Sequence, residues 1–532
     1  MMRDVAIGFE VHAQLATATK IFCACANEPG GAPNSRVCPV CLGLPGALPV
    51  LNREAVELAM RVALALESDI TARSSFARKN YFYPDLPKGY QITQHRTTLA
   101  TGGHVDVDVG GARKRVRIRD IHIEEDAGKT VHESHATSTH GSGSFGLVDM
   151  NRCGVPLVEI VSEPDISSVE EADAYLKTLY RVLIHLGVTA GELHQGNVRF
   201  DTNVSIRSDV DGALGIPCEI KNLNSFKSAG RALSFEIERQ SRVLDAGGII
   251  EHETLLWDEH TGRALTMRSK EGASDYRYFP EPDLGDVIIG RDWIDSVSRY
   301  MPELPEPHAF RFREWYGLRA DTARVLTAEP AMAIYFEHTL ANLLHALGLA
   351  PDPIVDPGCD LLALPVEDRE KMSVVFSMME SASPDRLPEL AEVTANWVTV
   401  IVGAWVNESG VDLKTLALSR LPAARLAEVI AARVRGTVNE PAAKRLLVAA
   451  IDSSEPVGKL LEQLDLTQVT DSGAIETLVA DVLLLHPAEV ARLRAGEEKL
   501  IRFLVGQVMK RSKGKADPVL VNETLVRLLG IE

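Results

Sequence analysis

The chain has 532 residues with a formal net charge of -18, 45% hydrophobic residues and 7 cysteines. That length predicts roughly two to four domains with real cores, and the acidic balance excludes a surface that binds nucleic acid everywhere, so any RNA contact must be local. No apolar stretch opens the chain as a signal peptide, and no apolar run is long enough to span a bilayer. These features predict a cytoplasmic protein with no membrane role and with reduced thiols.

In "IGFEVHAQL", Ile7, Phe9, Val11, Ala13 and Leu15 alternate with Gly8, Glu10, His12 and Gln14, the period-two pattern of a half-buried strand. Directly after it come Cys23, Cys25, Cys38 and Cys41, spaced as C-x-C, a Pro/Gly/Asn loop, then C-x-x-C. Clustered thiols in a reducing compartment bind metal more often than they pair. Four thiolates close a tetrahedral site with no open position, so the spacing predicts a structural zinc. Cys153, Cys218 and Cys359 stand alone and read as small core residues. Asn52 caps a helix over "REAVELAMRVALAL".

Next comes "FARKNYFYPDLPKGYQ", which carries Arg78, Lys79 and Lys88 in a stretch dense in Asn, Tyr and Pro. "HVDVDVGGARKRVRIRDIHIEED" alternates on both sides of Gly110-Gly111, a hairpin signal. Its apolar phase slips between Ile118 and Ile121, which predicts a bulge. After the slip, Ile121 and Ile123 face one way, and His122 and Glu124 the other. The polar "HESHATSTHGSGSFG" reads as a long flexible loop, and its G-x-G-x-x-G is followed by no helix, as a dinucleotide fingerprint would require. "EEDAGKT" has Ile123 where a P-loop needs glycine.

In "PLVEIVSEPD", Glu159 sits inside an apolar run. Ser167 followed by Glu170 forms a capping box before "VEEADAYLKTLYRVLIHLG". "VRFDTNVSIR" places Arg199, Asp201, Asn203, Ser205 and Arg207 on one face, and "SFKSAGRALSFEIERQSRVL" is a helix closed by Gly247-Gly248. "MRSKEGASDYRYFPEPD" adds Arg268, Lys270 and Arg277 among aromatics. Strands, hairpins and helices mixed without regular βαβ alternation predict an α+β fold.

The prolines of "MPELPEPH" mark a boundary near residue 300, beyond which the pattern is nearly all helical. With "PDPIVDPGCD" and "IDSSEPVGK" as further breaks, the expected domains are 1–300, 301–460 and 461–532. In the last of these, "VMKRSKGKADP" groups Lys510, Arg511, Lys513 and Lys515. Such a run is a solvated face unless it meets phosphate.

A polar strand face is commonly just the wet side of a sheet. If the strands share one concave sheet, however, Glu10, His12, Glu124, Glu125, Glu159 and Asp201 converge. Carboxylates collected this way suit hard cations such as Mg²⁺, which neutralise nucleotide phosphates during phosphoryl transfer. The cationic stretches around Lys79 and Arg268 suit the transferred phosphate.

Several of these stretches, in this order, closely resemble the B-subunit family of aspartyl/glutamyl-tRNA amidotransferases: "IGFEVHAQL", "VCPVCLGLPGALPVLN", "ARKNYFYPDLPKGYQITQ", "IHIEEDAGKT", "NRCGVPLVEIVSEPDI", "EIKNLNSFK", "MRSKEGASDYRYFPEPDL" and "FLVGQVMKRSKGKADPVLVNE". The resemblance implies an ATP-dependent carbon-nitrogen ligase of translation. Members of the family phosphorylate the side-chain carboxylate of misacylated Glu-tRNA(Gln) or Asp-tRNA(Asn), and ammonia then displaces phosphate. A partner amidase, the A-subunit, supplies the ammonia, and the small C-subunit completes a heterotrimer.

The resemblance also implies site residues. Glu10, His12, Glu124, Glu125 and Glu159 fall on positions around the Mg²⁺ and transamidation site, with Glu124 favoured over Glu125 by the strand alternation. Lys79, Asp201, Lys221, Arg268 and Lys270 fall near the nucleotide or the acyl carboxylate. The four cysteines match the family's zinc site, and Lys510, Arg511, Lys513 and Lys515 lie in a tail resembling YqeY that grips tRNA. The implied fold is a cradle related to glutamine synthetase, a helical domain and the helical tail. Residues 339–390 look longer than the family's usual connection. A rival reading is a zinc-stabilised tRNA-binding adaptor without chemistry of its own, which has no use for Glu10, Glu124 and Glu159 around a cation.

Overall fold

The computed structural model describes residues 4–132, 146–193, 196–207, 213–269, 276–350, 386–468, 471–495, 497, 499–512 and 514–530. The loop expected at "HESHATSTHGSGSFG" and Cys359 lie largely or wholly outside them. The chain divides into two units, Met1–Pro305 and Glu306–Glu532.

The first unit is built on a mixed, 13-stranded sheet. Its main strands in chain order are β1 (Val5–Gln14), β2 (Phe76–Asn80), β3 (Tyr90–Gln94), β4 (His104–Val109), β5 (Ala112–Glu125), β6 (Pro156–Ser162), β7 (Val198–Ile206), β8 (Cys218–Leu223), β9 (Glu253–Asp258), β10 (Arg263–Ser269) and β11 (Phe279–Pro280). Across the sheet they run β10-β9-β8-β7-β1-β6-β5-β3-β2-β11, with β4 paired to β5. The β8–β9 pair is parallel, and its crossover runs through a helix, as parallel neighbours require.

Three helices, α1 (Arg53–Ala65), α2 (Val169–His185) and α3 (Phe226–Asp245), bury apolar stripes in the same core as the sheet's inward residues. Ile7, Phe9, Val11, Ala13, Ile121, Ile123, Val158, Ile160 and Phe200 belong to that core. Alternation therefore turns Glu10, His12, His122, Glu124 and Glu159 to the opposite face. Gly110 and Gly111 take φ of 61° and 84°, the two positive values that a type I′ hairpin turn needs. The register between β5 and β6 slips where Asp120 faces Val161 but Ile118 faces Ser162, so the expected bulge falls at Arg119.

The cap of α2 differs from expectation by one residue. Ser168, not Ser167, is the N-cap and accepts from the Glu171 amide, while the Glu171 carboxylate accepts from Ser167. Ser168 and Glu171 also satisfy the capping-box spacing, so either serine reads equally well in the sequence.

The second unit is helical. Helices Pro330–Ala346 and Ala423–Val434 pack into one core with Leu387–Asn396 and Glu440–Asp452, and the tail helices Ser472–Leu485, Leu500–Arg511 and Pro518–Leu529 form another. Residues 339–346 complete the buried helix Pro330–Ala346. Residues 351–385 lie outside the described residues. Within the first of these cores, the fully buried Glu337 is bound by Arg311 and by the Tyr316 hydroxyl.

Candidate functional site

The pairing of β7, β1, β6 and β5 brings distant carboxylates into one register. Glu10 stands opposite Asp201; His12 lies between Arg199 on one side and Glu159 on the other; Glu159 faces His122; and Glu124 faces Leu157 one step along. Residues directly opposite on adjacent strands share a face, with Cβ atoms about 5 Å apart, so these side chains meet.

They meet as two clusters rather than one. His12 Nε2 lies 3.6 Å from Glu124 Oε1 and 3.5 Å from Glu159 Oε2. Glu10 instead joins Asp201 and Glu219, with ligand oxygens all within 4.8 Å of one another. The set expected around Mg²⁺, namely Glu10, His12, Glu124 and Glu159, is thus divided, and Glu219 enters unforeseen. The alternation in "CEIKNL" is the signal for it, because Glu219 and Lys221 oppose the buried Cys218 and Ile220. Thr254 Oγ1 donates to Glu219 at 2.9 Å, and Lys221 Nζ lies 2.9 Å from Asp201 and 3.0 Å from Glu219.

An octahedral Mg²⁺ site with bonds near 2.1 Å places neighbouring oxygens about 3 Å apart and opposite ones about 4 Å apart. One set offers two carboxylates and an imidazole and the other three carboxylates, the donor type that hard cations take, although Lys221 already pairs with two carboxylates of the second.

The charges are strongly coupled. Burial opposes the imidazolium of His12, but Glu159 and Glu124 outweigh it and carry its pKa up to about 9. His122 is pushed up to about 10 against the same penalty, by Glu159 and by Asp120, which lies 3.1 Å from its Nδ1. Burial alone would raise Glu159, yet His122, with Nε2 at 2.7 Å, and His12 hold it well below the carboxylate range. Glu124 and Glu10 are raised, chiefly by burial and next by Glu159.

Glu125 stands apart from the clusters. Its carboxylate is paired with Lys88 and accepts from the Ile92 amide at 2.8 Å. Lys88 is therefore engaged in structure, and so is Arg78, whose guanidinium makes two bonds of 2.7 and 2.8 Å to the buried Glu281. Lys79 differs: its Nζ lies 5.0 Å from the Tyr276 ring centre and 6.0 Å from that of Tyr81. Burial lowers its pKa, but Glu124 and Glu159 more than offset this, so the ammonium is held charged beside the first cluster. Tyr278 stacks on His95 at 3.8 Å next to it. Arg268 pairs through its backbone with Thr254 on β9, and Lys270 lies outside the described residues.

The four cysteines converge, all sulfurs within 4.8 Å. Zn–S bonds of 2.3 Å at tetrahedral angles put sulfurs about 3.8 Å apart, and Cys38 and Cys41 Sγ are 3.8 Å apart. The Cys41 thiol is brought down to about 5, first by a hydrogen bond with Cys23, which is pushed up in exchange. The knuckle is tied beside β6 by Ile21 N to Gly154 O at 2.9 Å. Cys153 and Cys218 are buried.

In the tail, Lys510 and Arg511 end the helix Leu500–Arg511 and are exposed. Arg511 lies 2.9 Å from Asp481, and Lys515 pairs with Asp465. Lys513 lies outside the described residues. Among the described residues, no helix is long and apolar enough to cross a membrane.

The chain is similar to known proteins over nearly its whole length. The family model described as the GatB/GatE catalytic domain matches residues 5–295, and that described as the GatB domain matches residues 380–529. The aspartyl/glutamyl-tRNA(Asn/Gln) amidotransferase B-subunit of Thermodesulfovibrio yellowstonii is 42% identical over 529 residues, covering 99% of this chain and 100% of its own. The B-subunits of an Anaeromyxobacter species and of a Geobacter species are each 43% identical, covering 99% of this chain and 99% and 100% of their own.

Proposed function

Because the chain belongs to the GatB/GatE family, we propose that it is the B-subunit of a tRNA-dependent amidotransferase. It converts the side-chain carboxylate of Glu-tRNA(Gln) or Asp-tRNA(Asn) to the amide. The observation that carries this reading is the acidic face of the sheet, where His12, Glu124 and Glu159 form one cation set and Glu10, Asp201 and Glu219 another.

A carboxylate resists attack by ammonia, whereas an acyl phosphate offers a good leaving group. The substrate carboxylate therefore attacks the γ-phosphorus of ATP and ADP departs; ammonia then attacks the acyl carbon and phosphate leaves. Bound Mg²⁺ supplies charge neutralisation for the phosphates. The chain's residues position the reactants: the two carboxylate sets hold cations, and Lys79 offers the face its charge for the phosphoryl group or the substrate carboxylate. The cysteine knuckle holds zinc as a brace.

Residues 1–300 act as the catalytic cradle, 301–460 as the helical domain and 461–532 as the RNA-gripping tail, with Lys510 meeting phosphates. Ammonia comes from a separate amidase, the A-subunit, with the small C-subunit as the third partner, in the cytoplasm. An adaptor without chemistry would not need two partly buried carboxylate clusters.

The test is phosphate release from ATP by the chain co-purified with its partners, with and without misacylated tRNA. Turnover that requires charged tRNA, and falls at least 100-fold in Glu124→Gln, is the expected result. Binding of tRNA without ATP turnover in the unaltered complex would leave only the adaptor.

A further inference from the structure

The hairpin ahead of the acidic face carries the densest cationic run in this acidic chain: Arg113, Lys114, Arg115, Arg117 and Arg119 within "ARKRVRIR". Val116 and Ile118 point into the core, so Arg113, Arg115 and Arg117 lie on the other face of β5. Lys114 turns away to Glu171 on α2. After the bulge at Arg119, that same face continues as Asp120, His122 and Glu124. One strand face therefore leads from an arginine row directly to the first carboxylate cluster. Arg119 reaches far enough that Glu10 contributes to its charge balance.

The row is open to solvent. The side chains of Arg113, Arg115, Arg117 and Arg119 are 78%, 60%, 65% and 58% exposed. Asp106 serves two of them, with Arg113 Nη2 at 2.7 Å and Arg115 Nε at 2.9 Å. Arg117 makes bonds of 2.8 and 2.7 Å to Asp165, and Arg119 lies 2.7 Å from Asp120. Exposed pairs of this kind contribute little to stability, and they occupy only part of each guanidinium. Each has five N–H donors, so Arg115 and Arg117, using two apiece on their carboxylates, keep an outward edge for another oxyanion.

Resting on the function proposed above, we infer that this arginine row binds successive phosphates of the single-stranded, aminoacylated 3′ end of the substrate RNA. Alternate residues on one strand face stand about 6.7 Å apart, close to the step between phosphates of an extended single strand. The row ends at Arg119, roughly 17 Å of strand before Glu124, a length that a few nucleotides cover, which leaves the acylated end at the carboxylate cluster. Guanidinium forks meeting phosphate oxygens give register and affinity without reading sequence. One row would then serve either tRNA substrate.

The test uses the complex with its partners. Binding of misacylated tRNA, by filter retention, and the amidation KM are measured from 50 to 200 mM salt for the unaltered protein, Arg113→Gln/Arg115→Gln/Arg117→Gln and the corresponding triple lysine variant. The glutamine variant is expected to raise Kd and KM at least tenfold and to make the slope of log K against log salt shallower by about 2, at about 0.7 per lost single-strand contact. The lysine variant keeps most of the slope. If the triple glutamine variant does not fold, Arg115→Gln alone is expected to change the slope by about 0.7. An unchanged slope and Kd in a folded variant overturns the inference. So does loss of a partner protein with tRNA binding intact, which would make the row a protein contact. If the unaltered complex binds tRNA through the row but shows no charged-tRNA-dependent turnover, the proposed function fails and the row stands.

Discussion

Replacing Arg78 by methionine tests whether this cation holds phosphate or holds the fold. Its sequence context, beside Lys79 in an aromatic-rich stretch, suits a phosphate ligand. The structure instead closes its guanidinium on Glu281, whose side chain is 0% exposed, with Asp283 at 3.2 Å. The pair joins β2 to β11, which is only two residues long and stands at the edge of the sheet. Removing the arginine leaves a buried carboxylate unpaired, a change that costs about 3–5 kcal/mol. At about 2.1 cal/mol/K per residue, a unit of 305 residues has an unfolding entropy near 0.64 kcal/mol/K, so the melting temperature should fall by about 5–8 °C. Calorimetry reads this directly. The double variant Arg78→Met/Glu281→Met should recover most of the loss, because replacing both partners of a buried pair is often neutral. At temperatures where Arg78→Met remains folded, its KM for ATP should stay within about twofold of the parent. A melting shift below about 2 °C combined with a large rise in that KM would refute the reasoning and return Arg78 to the phosphate.

Cys38→Ser should release zinc, measured as metal per chain by atomic emission, whereas Cys218→Ser, a buried thiol outside the four-sulfur set, should retain it; equal metal content in both would remove the knuckle. Glu337 provides a pH test in the helical unit. Burial alone would raise its carboxyl, but His308, 3.8 Å away, and the hydrogen-bonded Arg311 bring it from 4.5 down to about 2. A depressed folded pKa adds stability in full above pH 4.5, about 3 kcal/mol by linkage, and that stability is lost as pH falls toward 2. Urea midpoints from pH 6 to pH 3 should therefore drop more steeply for the parent than for Glu337→Gln, and parallel curves would dismiss the effect.

Much of this protein is written in local pattern. Period-two alternation identifies the strands and the face each residue takes, paired glycines set the hairpin, a phase slip marks the bulge and cysteine spacing announces the knuckle. These are short-range consequences of backbone geometry and side-chain size. Family motifs extend the reading to the family to which the chain belongs.

What local pattern leaves open is which far-separated side chains meet. Glu124 and Glu125 are adjacent in sequence, yet one faces His12 and the other Lys88, because core packing of Ile121 and Ile123 sets the face. Glu219 joins Glu10 only through the registers of β7 with β1 and β8. Arg78 and Lys88 look as available as Lys79 until the fold supplies Glu281 and Glu125 as partners. Strand pairing is chosen by burial of the whole apolar face, and a buried charge then takes whichever partner that packing delivers. The candidate residues were therefore legible one at a time, while their grouping into two carboxylate clusters, one lysine beside the first and two structural ion pairs belongs to the tertiary structure.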